Sequence, residues 1–240
     1  MTDHPNVREV LLSGVVGSTA YGLNRPGSDI DRLGVFAAPT VAFHGLHPPT
    51  GKQATITRNE PDVVMHEAGK FAALCLAGNP TVTELLWLDE WEHVTLLGGR
   101  LVILRKAFQS APRYRDAYLG YATQQFKRLT DAGRFPDVPR ARIAKHARHL
   151  RRLLTQGTHL WRTGELVLRV DDPQAYFDFG EQVAADPAAA APLLAQAEHV
   201  FRSEPTVLPD APDTAAVEEW LLAVRHAYYE HEHPAARRAG

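Results

Sequence analysis

The chain has 240 residues, 45% of them hydrophobic and 22% charged, with a formal net charge of −2. That is the composition of an ordinary soluble globular protein, long enough for one large core or two small ones. No apolar run approaches the roughly 20 residues of a membrane span, the N-terminus lacks a secretion-signal layout, and a single cysteine, Cys75, excludes an intramolecular disulfide framework and leads us to expect a reducing, cytoplasmic setting.

The elements change character along the chain. "EVLLSGVVG" (9–17) is a short apolar run ending in glycine and reads as a buried strand. "NRPGS" (24–28) is dense turn chemistry. "DIDRLGVFAA" (29–38) reads as a second strand, with Ile30, Leu33, Val35 and Phe36 as its apolar content. "KQATITR" alternates weakly, and "DVVMH" (62–66) is a further strand. From Glu67 the period becomes helical: "EAGKFAALCLAG" spaces Phe71, Leu74 and Cys75 on one face, with Gly78 as the C-cap. "TVTELLWLDEWE" and "GGRLVILRKAFQSA" read as helices, as does nearly everything after residue 100, including "DTAAVEEWLLAVRHAYYEHEH". The expected fold is therefore α+β, a strand-rich half over residues 1–105 followed by a helical half over 106–240.

Charge follows the same division. Residues 100–169 carry 16 Lys/Arg against 4 Asp/Glu, whereas residues 1–99 carry 6 against 11 and residues 170–240 carry 4 against 13. A basic segment between two acidic ones either draws a polyanion to one part of the surface or is neutralised by its neighbours across internal contacts.

The stretch "GSTAYGLNRPGSDID" (17–31) carries the chemistry. In a strand Asp29 and Asp31 share one face, and two adjacent carboxylates repel unless a cation lies between them. Gly17, lacking a Cβ, lets backbone approach phosphate oxygens. Ser18 offers a hydroxyl and an amide at the start of a short helix, whose dipole favours anions. Asp29 and Asp31 are hard oxygen donors suited to Mg²⁺. The bland alternative is a solvated turn in which the carboxylates only cap backbone amides.

"GVVGSTAYGLNRPGSDIDRLGVF" resembles the nucleotidyltransferase motif of the DNA polymerase β superfamily. With "KFAALCLAGNPTVTELLW", "GYATQQFKRL" and "KHARHLRRLLTQGTHLWRTGEL" in the same order, the chain is similar to the nucleotidyltransferases associated with RNA-repair pathways. The resemblance implies a catalytic domain over 1–105 and a helical domain over 106–240 that packs on it and lines the cleft. It also implies transfer of a nucleoside monophosphate from an NTP, with Mg²⁺ (or Mn²⁺ in its place) held by Asp29, Asp31 and a third carboxylate. Asp62, opening a strand, is the expected third acid, which would also help deprotonate the attacking hydroxyl. Glu60 and Glu67 are its rivals.

"RARIAKHARHLRRLLTQGTHLW" carries two rows. Ile143, Ala147, Leu150, Leu154, Gly157 and Trp161 form an apolar stripe. Lys145, His149 and Arg152 advance in step but about 200° around the helix. On periodicity they are a solvated face; the resemblance makes them nucleotide-binding, with Arg148 and Arg151 available to a nucleic-acid acceptor. Cys75 reads as core, the four tryptophans as helix packing, and His226, His231 and His233 as an exposed terminal helix rather than a zinc site. The expected activity is a Mg²⁺-dependent nucleotidyltransferase with RNA as acceptor candidate. Its competitors are an antibiotic-type small-molecule nucleotidyltransferase and a non-catalytic nucleotide- or RNA-binding module. "GVVGST" does not fit the dinucleotide fingerprint G-x-G-x-x-G, which excludes that class.

Overall fold

The computed structural model describes residues 9–132 and 139–229. Five strands, β1 (Glu9–Val15), β2 (Arg32–Ala37), β3 (Thr55–Asn59), β4 (Asp62–Glu67) and β5 (His93–Val94), form one mixed sheet in the order β3-β4-β2-β1-β5. Only the β2–β4 pairing is parallel. β2, "RLGVFA", is buried along nearly its whole length because both faces of this central strand are covered, which explains an apolar run in place of alternation. The fold is α+β, as the sequence indicates.

β2 starts later than the sequence suggests. The turn over residues 24–28 is closed by Ser28 N–H to the Arg25 carbonyl and by Arg25 N–H to Ser28 Oγ. Residues 29–31 follow it without joining the sheet ladder, and Ile30 is 49% exposed rather than packed. Asp29 and Asp31 therefore sit on the approach to the strand, and strand alternation does not orient them.

Nine helices are formed among the described residues: α1 (Gly17–Ala20), α2 (Ala68–Leu76), α3 (Pro80–Thr83), α4 (Leu96–Ile103), α5 (Ala111–Ala132), α6 (Arg140–Thr163), α7 (Pro173–Ala185), α8 (Ala191–Ser203) and α9 (Thr214–Ala227). α2 ends at Gly78, whose φ of 73° is the left-handed cap expected there. "TVTELLWLDEWE" is not one helix. Asn79 Oδ1 caps the single turn α3, Glu84–Trp87 continue as a 3-10 turn, and Leu88 is extended.

The apolar stripe of α6 is buried as its spacing requires, with Ala147, Leu150 and Leu154 at or below 1% exposure. Gly157 in that stripe brings α5 close: a Cβ there would lie 2.6 Å from the Tyr118 ring. One continuous core joins the sheet, its flanking helices and the bundle. α9 returns to the sheet end of the molecule, where Trp220 Nε1 donates to the Leu97 carbonyl at 2.9 Å. His231 and His233 lie outside the described residues.

Candidate active site

A cleft of about 590 Å³ opens between the C-terminal side of the β1 loop and the helices α6 and α7. Gly17, Ser18, Asp29, Asp31, Asp62, Lys145, His149 and Arg152 all line it. Asp29, Asp31 and Asp62 stand on the sheet side, and Lys145, His149 and Arg152 on the α6 side.

Strand register assembles the acidic wall. β2 and β4 run parallel with Arg32 opposite Val63, so Asp31 and Asp62, one residue earlier on each, come side by side at the ends of adjacent strands. Val16 N–H donates to the Asp31 carbonyl at 2.9 Å, which fixes Asp31 to the end of β1 as well. The Asp31 carboxyl is held above its ordinary range by burial and then by the neighbouring Asp62 charge, with Lys145 pulling the other way and Asp29 adding to the rise. Gly17 closes over this carboxyl. Its φ is 68°, and a Cβ built on it would lie 2.2 Å from Asp31 Oδ2; both facts require glycine. α1 is a single turn and carries little macrodipole, so the loop offers amides and the Ser18 hydroxyl.

The two rivals for the third acid are elsewhere. Glu67 ends β4, buried, where it caps α2 through Gly69 N–H and pairs with Arg225 at 2.6 Å. Glu60 lies in the exposed β3–β4 turn, away from the cleft lining.

Among the described residues no group of three His, Cys, Asp or Glu side chains is gathered to hold a metal ion. Asp31 and Asp62 nevertheless form a hydrogen-bonded pair of oxygen donors, with a carboxyl that burial and like charge leave short of positive potential. Mg²⁺ binds through one or two carboxylates together with waters and substrate phosphates, so this donor set fits it, with Asp29 at the open side.

The basic wall is not a solvated face. Lys145 is exposed, His149 half-buried and Arg152 only 2% exposed. Arg152 is enclosed by a network that sequence reasoning missed. Its Nη1 lies 3.6 Å from Glu84 Oε2, a side chain that is itself buried, and donates to Gln156 Oε1 at 2.7 Å. Its guanidinium stacks 4.0 Å above the Tyr21 ring, whose hydroxyl donates to Glu84. Burial pushes Glu84 up to about 7 against the opposing pull of Arg152 and the Tyr21 hydrogen bond; the Gly17 amide also favours its charged form, so this carboxylate lies directly beneath the loop.

Arg152 also sets the state of His149. Its Nη2 can only donate, so His149 Nδ1, 3.2 Å away, accepts. The ring proton is then on Nε2. Burial first, then the positive charges of Arg152, His146, Arg128 and Lys145, push His149 down to about 3, so it is a neutral donor across the physiological range. Arg152 thus serves the cleft through its neighbours, and Lys145 supplies open charge. The "AYGL" and "TELLW" blocks contained Tyr21 and Glu84, but a lone Tyr and a lone Glu in helical-looking text carry no spacing signal.

No helix of the described residues is long and apolar enough to cross a membrane. No curated protein matches the chain. A family model, described as the RNA repair pathway DNA polymerase beta family, matches residues 2–199, which include both walls of the cleft. The chain belongs to the RNA repair pathway DNA polymerase beta family.

Proposed function

We propose that this protein is a divalent-metal-dependent nucleotidyltransferase that transfers a nucleoside monophosphate from an NTP to an acceptor hydroxyl, releases pyrophosphate, and uses RNA as its acceptor. The observation that carries this reading is the pairing of Asp31 with Asp62 at the ends of parallel strands, opposite Lys145 in one cleft.

Asp29, Asp31 and Asp62 would hold Mg²⁺ or Mn²⁺, which when bound neutralises phosphate charge and lowers the pKa of a coordinated hydroxyl. The residues of the chain divide the remaining work. The Ser18 amide and hydroxyl receive phosphate oxygens, with Gly17 leaving room for them, while Lys145 balances charge on the departing pyrophosphate. His149 donates a neutral Nε2–H, which adds a hydrogen bond without competing for the carboxylates. Asp62 accepts the proton of the acceptor hydroxyl as its oxygen bonds to the α-phosphorus. The bond from that phosphorus to the bridging oxygen breaks, and the electron pair leaves with pyrophosphate.

Incubation with α-labelled NTPs, Mg²⁺ or Mn²⁺, and pooled RNA tests the reading. Label should enter RNA and vanish with Asp29→Ala. Tight nucleotide binding without transfer to any acceptor would instead make the protein a binding module, and label in a small molecule would make it a small-molecule nucleotidyltransferase.

A further inference from the structure

One corner of the cleft has no part in the scheme above. Phe177, half-buried on α7, faces two guanidinium groups, Arg25 at 3.9 Å and Arg148 at 5.1 Å from its ring centroid. All three line the cleft. Arg25 comes from the turn before Asp29 and Arg148 from α6, so the stack joins the sheet half to the helical half. Gly180 leaves room for it: a Cβ there would meet Arg148 Nη1 at 3.1 Å and the Ala144 carbonyl at 3.0 Å.

Burial first, and then the nearby Arg25 charge, lowers Arg148 from its ordinary value. Neither forms an ion pair among the described residues. Glu181, whose charge acts on Arg148, is bonded to Arg140 at 3.3 Å. Two guanidinium groups held against one aromatic ring, both lining the cleft, form a place for an anion. Planar guanidiniums match phosphate oxygens in particular. Lys145, one turn earlier than Arg148 on α6, together with Arg142 and Arg128, continues the positive potential outward, since all three act on the half-buried His146.

We propose that Arg25 and Arg148, stacked on Phe177, form a second phosphate site at the mouth of the cleft, which holds a backbone phosphodiester of a polynucleotide acceptor. It rests on the transferase reading only for the word acceptor. The ligand chemistry is a phosphate monoanion, distinct from the triphosphate placed at Gly17, Ser18 and Lys145. Occupancy would also set the turn that carries Asp29, because Arg25 and Ser28 close that turn on each other.

The test uses the full chain and two probes: a fluorescein-labelled 20-nucleotide single-stranded RNA read by anisotropy across a KCl series, and Mg-ATP read by calorimetry. Arg25→Ala and Arg148→Ala should each weaken RNA binding about 5- to 10-fold and reduce the salt slope by about one, while Mg-ATP affinity stays within about twofold. Arg25→Glu, at an exposed position that leaves the core intact, should weaken RNA binding further. A fall in Mg-ATP affinity with RNA unchanged assigns the pair to the triphosphate and overturns the proposal. No change with either probe makes the stack packing only and overturns it too, as does an equal fall in both. Arginine-dependent binding of a labelled 20-residue polyglutamate peptide, with no RNA binding, would reassign the site to an acidic protein. Should the wild type bind RNA but not Mg-ATP, the transferase reading fails while the arginine variants still decide the phosphate site.

Discussion

The two sides of the cleft are built on opposite plans. The acidic side is open: Asp29 is exposed, Asp31 and Asp62 meet at strand ends, and the turn before them is held by two local hydrogen bonds. Behind it, Tyr21, Glu84 and Arg152 are each buried to 7% exposure or less. The carboxylates proposed to hold the metal stay wet and adjustable, whereas the groups behind the loop are locked in the core. Stability and activity should therefore separate between the two sets.

The largest effect should come from the open side. Asp31→Asn is expected to lower label transfer about 10³-fold, with a melting temperature close to that of the wild type, because it removes charge repulsion and no packing. Loss of stability on the scale seen for core variants would break the contrast. Glu84→Ala should do the reverse first: removing one partner of a buried ion pair costs about 3–5 kcal/mol by urea denaturation. The double variant Glu84→Leu/Arg152→Met should recover most of that stability, since apolar replacement of a buried pair is well tolerated. Its transfer rate should stay low because His149 loses the donor that fixes its tautomer, and recovery of both would show that the pair is structural alone.

Gly17→Ala joins the two sets. The added methyl cannot share space with Asp31 Oδ2, so the carboxylate must shift. A shift of this size in a positioned group should cost about 30-fold in transfer, read against nucleotide binding to separate positioning from affinity. The smallest effect is a pH dependence. His149 is depressed in the fold to about 3 from an ordinary value near 6.5, so the unfolded chain binds the extra proton. Its contribution to stability is complete above about pH 6.5 and is lost as pH falls towards 3. Glu84, raised to about 7, opposes it, since its contribution is complete below the ordinary glutamate value and is lost as pH rises through 7. The His149 part is isolated by comparing denaturation at pH 7 and pH 5. His149→Gln should raise stability at pH 5 relative to pH 7 by about 2 kcal/mol compared with the wild type, because it leaves the opposing Glu84 contribution alone.

The sequence revealed what local chemistry determines. β1, the glycine loop, the α2 cap at Gly78 and the buried stripe of α6 each follow from spacing or from a residue with a special backbone role. The positions of Asp29, Asp31 and Asp62 in one cleft were expected from resemblance, yet the strand said to orient the first two begins only at Arg32, because residues 29–31 leave the turn without joining the ladder. Glu67 illustrates the opposite limit. A carboxylate at the end of a strand and the start of a helix looks like a ligand or a cap in one dimension, and only the approach of Arg225, 158 residues later, settles which. Tyr21, Glu84 and Arg152 were not legible as a unit, since their contacts cross 63 residues and more. Phe177 was equally hidden: an aromatic on a helix signals packing until two arginines are seen beside it.

The Arg152 network behind the loop has a consequence for how the protein is made. Val170 N–H donates to the Tyr21 carbonyl, and Gln156, itself bonded to Arg152, donates to the carbonyls of Val167 and Leu168. The glycine loop is thus tied down by residues translated about 150 codons after it. Ribosome-bound nascent chains that stop before Val170 should lack an ordered cleft, so the site forms late in synthesis and nearly all at once.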